Sequence, residues 1–168
     1  NCDILFHLNQ QVSEATPGYQ RIQGFLDICR EHDLPHKLIL TSFGRTYEEN
    51  EKRLGEILRE MEEEYKGKKK GIFVSNDTHA NILLNLLVRK YGRLPEEYRI
   101  VGFDDSPIAA SAIIPISTVG QQIEKIAHQA MELLVMQMNE RKKRRPTPLK
   151  EPIHQVVTPV LIRRCTTD

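Results

Sequence analysis

The sequence predicts an α/β fold: a parallel sheet with helices on both faces. Short β-prone apolar runs alternate along the chain with longer segments whose apolar residues recur at helical spacing. The runs are apolar through and through, as in strands covered on both sides. The junctions carry Thr-Pro, Ser-Asn-Asp and Gly, residues that cap helices or turn the chain.

Ile4-Leu-Phe6 is the first strand. Thr16-Pro17 then supplies an N-cap followed by proline at the first helical position, so a helix starts there. Ile22, Phe25, Leu26 and Cys29 form its apolar stripe, with Gln20, Gln23, Asp27 and Arg30 opposite. Lys37 to Thr41 is the second strand. A charge-rich helix follows from Tyr47 to Lys66, carrying Leu54, Ile57, Leu58, Met61 and Tyr65 at helical spacing, with Gly67 as its C-cap. Gly71 to Ser75 is the third strand, and Asp77 is placed to cap the helix that runs to about Tyr91 and ends at Gly92. That helix has few polar positions, because Ala80, Ile82, Leu83, Leu84, Leu86, Leu87 and Val88 are all apolar. It is expected to be covered on two sides.

Arg99 to Phe103 is the fourth strand. Ser106 to Ile116 is apolar but broken by two prolines, and Ser117 to Val119 is a short linking strand. Gln122 to Arg141 returns to helix, with Ile123, Ile126, Ala127, Ala130, Leu133 and Leu134 on one face. Residues 142–152 are a basic, proline-containing loop. His154 to Val157 and Val160 to Arg163 are β-prone pieces.

A chain of 168 residues accommodates one domain with a real core. With 24 basic against 23 acidic groups, no global field favours nucleic acid or an anionic membrane. Cys2, Cys29 and Cys165 lack metal-ligand spacing and read as free thiols of a reducing compartment, the cytoplasm. No apolar run approaches the roughly 20 residues that span a bilayer. The chain opens on Asn1-Cys-Asp-Ile without a Met, which suggests a start inside a longer protein.

In a parallel sheet covered by helices, ligands collect beyond the carboxyl ends of the strands. Arg21, the Ser75-Asn76-Asp77 turn and Asp104-Asp105 lie there. An ionised carboxylate takes two hydroxyl protons from a vicinal diol, an amide both donates and accepts, and a guanidinium presents a planar fork of donors. Arg21, Asn76 and Asp104 therefore suit a neutral polyhydroxylated molecule, and Phe43 an apolar sugar face. Asp77 reads as a helix cap, and Asp105 as a cap of the turn at Ser106-Pro107.

A metal-dependent enzyme using Asp104 and Asp105 is the weaker alternative. Neighbours in an extended chain point to opposite sides, and no further acidic or histidine cluster completes a coordination shell. No nucleophile elbow, P-loop or C-x-x-C is present. His79 reads as a surface or interface residue rather than a general base. No catalytic residue, metal or cofactor is expected.

Three segments carry a family resemblance: Gly71-Ile-Phe-Val-Ser-Asn-Asp77, Leu94-Pro-Glu-Glu-Tyr-Arg-Ile-Val-Gly-Phe-Asp-Asp105 and Pro115-Ile-Ser-Thr-Val-Gly-Gln-Gln-Ile123. In this order and spacing they resemble the effector-binding domain of LacI/GalR-family transcriptional regulators, a domain also found in arabinose repressors with a GntR-type head. The resemblance runs from about Ile4 to the end, where Leu161-Ile-Arg-Arg-Cys-Thr-Thr167 is similar to the family's closing strand. It implies a type I periplasmic-binding-protein-like fold of two α/β lobes closing on a small ligand, commonly a sugar.

Residue by residue, the resemblance implies ligand binding by Arg21, Asn76 and Asp104, stacking by Phe43, and a place for Gln121 near the cleft and hinge. Ser117, Gly120 and Gln122 depart from the family pattern, where threonine, a basic residue and proline stand. The implied organisation is a C-terminal lobe over residues 1–119, a crossing helix and strand of an otherwise absent first lobe over 120–158, and a return strand over 159–168. Half a cleft is expected to bind sugar poorly.

The resemblance also implies a homodimer through the apolar helix and the loop after it, with Asn81, Leu84, Asn85, Val88, Ile108 and Ile113 at the interface. DNA would be read only by an N-terminal head outside this chain. The basic run Arg141 to Arg145, without interleaved aromatics, reads as a solvated connection. A sugar-binding protein of a transport system is the alternative of the same fold.

Overall fold

The computed structural model of the protein describes residues 2–143 and 151–168. Arg144 and Arg145 of the basic run, and the loop as far as Lys150, lie outside them. The chain divides into two compact units, one running to Val119 and including Leu161–Asp168, the other Gly120–Val160.

The larger unit alternates strands and helices: β1 (Ile4–Gln10), α1 (Pro17–Glu31), β2 (His36–Thr41), α2 (Tyr47–Glu64), β3 (Lys70–Val74), α3 (Asp77–Tyr91), β4 (Tyr98–Asp104), the short α4 (Pro107–Ser111) and β5 (Ser117–Gly120). With β6 (Val160–Ile162) the sheet has six strands in the order β2-β1-β3-β4-β5-β6. The pairs β1/β2, β1/β3 and β3/β4 are parallel, with Gln10 opposite Thr41, Leu8 opposite Val74 and Phe73 opposite Val101. The carboxyl ends of β1 to β4 therefore share one edge. The winding reverses between β1 and β3, which opens a crevice at that edge.

Alternation along β1 assigns the two faces. Ile4, Phe6 and Leu8 join Ile57, Leu58 and Met61 of α2, Leu83, Leu84 and Leu87 of α3, and Ile72, Val74 and Ile100 of the neighbouring strands in one buried core. Each such side chain contributes about 1.5–3 kcal/mol by leaving water. His7 and Asn9 point the other way, beneath α1. The His7 ring lies 5.3 Å from Phe25, and Asn9 Nδ2 donates to the Gly18 carbonyl at 3.2 Å. These polar groups lengthen β1 beyond the expected Ile4–Phe6, because each finds a partner in the layer above the sheet.

The helix ends follow local chemistry. Thr16 caps α1 by accepting from Tyr19 N, with Pro17 in its first turn. Thr46 and Glu49 form a reciprocal capping box on α2. That helix ends at Tyr65, whose ring meets Phe6 edge-on at 5.1 Å; Gly67, expected as the cap, instead turns the chain at φ 72°. The cap of α3 is also corrected. Asn76 Oδ1 accepts from His79 N at 2.9 Å, so Asn76 rather than Asp77 is the N-cap, and Gly92 closes the helix at φ 75°.

In the smaller unit α5 (Ile123–Arg141) forms as the periodicity predicts, but none of its residues is buried. His154–Val157 is not a strand, contrary to its β propensity. A strand needs a neighbour to take its backbone groups, and propensity supplies none.

Candidate functional site

The edge where β1 to β4 end carries most of the residues singled out in the sequence. Arg21, on the second turn of α1, lays its guanidinium over the Phe103 ring, 4.4 Å from the centroid. Its Nε is buried and has no hydrogen-bond partner among the described residues. Phe103 immediately precedes Asp104, so the arginine stands beside the Asp104-Asp105 turn. A cation held on an aromatic face keeps its in-plane N–H donors for other groups.

Behind this pair the sheet is aromatic. Phe103 lies 6.5 Å from Phe73, and Phe73 stacks on His7 at 4.6 Å and 15°. His7 contacts the Phe73 carbonyl through Nδ1 at 3.0 Å and Asn9 Nδ2 through Nε2 at 3.1 Å. With Asn9 donating to Nε2, the imidazole is the neutral Nδ1–H tautomer. Burial lowers its pKa, the Phe73 carbonyl works against this, and Arg21 adds to the lowering.

The Asn76-Asp77 turn sits against the end of β4. Asp77, 1% exposed, accepts from Ser106 N at 2.7 Å and Ser106 Oγ at 3.1 Å through Oδ2, and from Thr118 Oγ1 at 2.6 Å through Oδ1. It ties α3, the loop after β4 and β5 together. Asn76 spends its carbonyl on the cap and keeps an amide with two N–H groups at the rim.

Asp104 is half-buried with φ 108°, and Asp105 has φ 53°. Two successive non-glycine residues in this region hold strain that the surroundings must support. Asp105 supplies part of that support. It pairs with Arg164 at 2.7 Å, and its N–H donates to Thr118 Oγ1 at 3.4 Å, so it does not cap the Ser106-Pro107 turn. Ser106, the N-cap of α4, makes no side-chain cap bond.

Phe43, after β2, stacks on His79 with centroids 3.7 Å apart and planes at 17°. At most one face of Phe43 remains for a ligand. His79 is half-buried, its Nδ1 lies 3.4 Å from Ser75 Oγ, and burial lowers its pKa. Gln121 belongs to the smaller unit. Among the described residues no three His, Cys, Asp or Glu side chains are grouped to hold a metal.

Residues 3–166 match the periplasmic binding protein-like domain family. The chain belongs to that family. The arabinose metabolism transcriptional repressor of Geobacillus stearothermophilus is 28% identical over 127 residues, covering 74% of this chain and 34% of the repressor. A periplasmic binding protein/LacI transcriptional regulator from Alkaliphilus metalliredigens QYMF, complexed with D-xylulofuranose, superposes with TM-score 0.71 at 27% identity, over 99% of this chain and 57% of that one. A LacI family transcriptional regulator from Arthrobacter sp. FB24, in complex with lactose, gives TM-score 0.74 at 23% identity over 99% of this chain and 56% of its own, and shows the fold alone. The chain thus spans about a third to somewhat over half of the proteins it matches. These findings agree with the resemblance carried by the three sequence segments.

Within this periplasmic-binding-protein-like chain the expected interface residues divide. Asn81, Asn85, Val88 and Ile108 are partly buried, and Ile113 is 68% exposed. Leu84 is 0% exposed, inside the core between α3 and the sheet, so it has no surface to offer a partner. Sequence reasoning missed Phe103 as the platform for Arg21 and His79 as the partner of Phe43. The only signals were adjacency to Asp104 and a place three residues after Asn76.

Proposed function

We propose that the chain is the C-terminal part of the effector-binding domain of a cytoplasmic transcriptional regulator, and that it senses a neutral sugar. The observation that carries this reading is Arg21. A buried Nε without a partner is costly, and a guanidinium oriented on Phe103 beside Asp104 is prepared to donate to a ligand hydroxyl. Asp104 would accept from a diol, the free amide of Asn76 would donate, and Phe43 would meet the apolar face of the ring. Sugars in the names of relatives and neighbours support the ligand class. The same relatives are repressors rather than enzymes, and among the described residues no helix is long and apolar enough to cross a membrane.

In this reading residues 1–119 and the return segment 159–168 form one lobe, and residues 120–158 belong to the other. Gln121 contributes from the crossing segment. The exposed stripe of α5 is then the face that packs on the first lobe in the whole regulator. Homodimerisation uses Asn81, Asn85, Val88, Ile108 and Ile113, without Leu84. Lobe closure changes DNA affinity through an N-terminal head, provided the sugar binds one state better than the other.

A thermal-shift screen of pentoses, hexoses and purines on the whole regulator tests the reading, since a ligand of the native state raises its apparent stability. A pentose or hexose that raises the midpoint supports it. A response to purines alone contradicts it.

A further inference from the structure

A second cleft lies at the opposite edge of the sheet, where β3 and β4 begin. Its volume is about 370 Å³, and its lining includes Lys66, Lys70, Arg93, Tyr91, Tyr98 and Glu97. Two turns with positive φ, at Gly67 and Gly92, swing the α2–β3 and α3–β4 connections around it.

Lys70 is unusual. It is 3% exposed, yet its ammonium has no carboxylate within 4 Å among the described residues. Nζ donates to the Lys68 carbonyl at 2.9 Å and lies 5.1 Å from the centre of the Tyr98 ring. An ammonium has three N–H donors, so among the described residues two remain without an acceptor. Burial lowers the Lys70 pKa, and the carboxylates of Glu97, Glu62 and Asp3 work against this.

Glu97, Glu62 and Asp3 act on Lys70 only from beyond ion-pair distance. Lys66 and Arg93 form no ion pair among the described residues. Glu62, also in the wall, is occupied by Lys90 and by the Tyr91 hydroxyl at 2.6 Å. Glu97 is the other carboxylate of the lining beside Lys66, Lys70 and Arg93, while Tyr91 and Tyr98 add ring faces.

We propose that this cleft binds a phosphate dianion, free or as the terminal group of a small phosphorylated metabolite. Lys70 supplies the buried charge, Arg93 a planar fork suited to two phosphate oxygens, and Lys66 a third contact. The tyrosine faces accommodate the carbon skeleton of an ester. The site is independent of the sugar rim, which lies at the other ends of the same strands.

The test is a titration of the whole regulator, followed by amide resonances, with sodium phosphate and ribose 5-phosphate against sodium chloride at matched ionic strength. Saturable shifts confined to residues 66–70 and 93–98 are expected. Lys70→Met, which keeps the stem on Tyr98, and Arg93→Ala, on an exposed loop, should each weaken binding by about tenfold or more. Tighter binding of the ester than of phosphate assigns an esterified ligand, and equal binding assigns free phosphate. Equal shifts with chloride, or an unchanged titration in both variants, overturn the proposal. Shifts only near Arg21 and Asp104 overturn it while leaving the sugar reading intact.

Discussion

The carboxylate of Asp77 occupies the space that a side chain at position 102 would need: a Cβ on Gly102 would stand 2.2 Å from Asp77 Oδ1. Glycine at the end of β4 thus lets the first residue of α3 reach across to Ser106 and Thr118. Gly102→Ala must displace a buried, triply bonded carboxylate and should cost about 2–3 kcal/mol in urea unfolding. Gly24→Ala, in a helix with open space around it, should instead stabilise by about 0.5–1 kcal/mol. Equal effects of the two substitutions would contradict the crowding.

Arg21 separates binding from stability. Its Nε has no partner among the described residues, so Arg21→Met removes a buried unsatisfied donor while keeping an unbranched stem over Phe103. The variant should be as stable as the parent or up to about 1–2 kcal/mol more stable. Sugar binding by the whole regulator should be lost. A large loss of stability with binding retained would show that the guanidinium is structural.

Arg164 closes the larger unit. It donates to the Ile116 carbonyl at 2.9 Å and pairs with Asp105, while its backbone and Thr166 bond to Ser117. Arg164→Ala leaves a carbonyl unsatisfied and the strained Asp105 unsupported, so chemical unfolding should register a loss of about 1–3 kcal/mol. The ion pair itself, partly solvated, accounts for the smaller share.

Acid should destabilise the fold before its carboxylates protonate. An unfolded imidazole titrates near pH 6.5, whereas burial holds the pKa of His7 and His79 below that value. Between the folded and unfolded pKa the unfolded chain binds more protons, so stability rises with pH there and falls on acidification. Each imidazole contributes a slope of at most about 1.4 kcal/mol per pH unit. Unfolding midpoints should drop between about pH 7 and about 5.5, and less steeply in His79→Gln. Identical pH profiles for parent and variant would remove His79 from the account.

What the sequence revealed was local or periodic. Thr16-Pro17 announces α1 because capping is decided within four residues, and the stripes of α1 and α2 mark the faces they bury. At the start of α3 the same logic failed: Asn76 and Asp77 are both competent caps, and Asp77 is drawn away by Ser106 and Thr118, residues 29 and 41 positions distant. The Asp105–Arg164 pair spans 59 positions and leaves no mark on either neighbourhood. His154–Val157 shows the converse, since β-branched residues favour a strand but cannot supply the neighbour that completes one.

The central claim is that Asp104 grips the hydroxyls of a sugar at the rim shared with Arg21 and Asn76. Calorimetric titration of the whole regulator with its sugar, parent against Asp104→Ala, tests it most directly. Loss of a charge-assisted pair of hydrogen bonds should weaken binding by about a hundredfold. An affinity unchanged by the substitution would contradict the account.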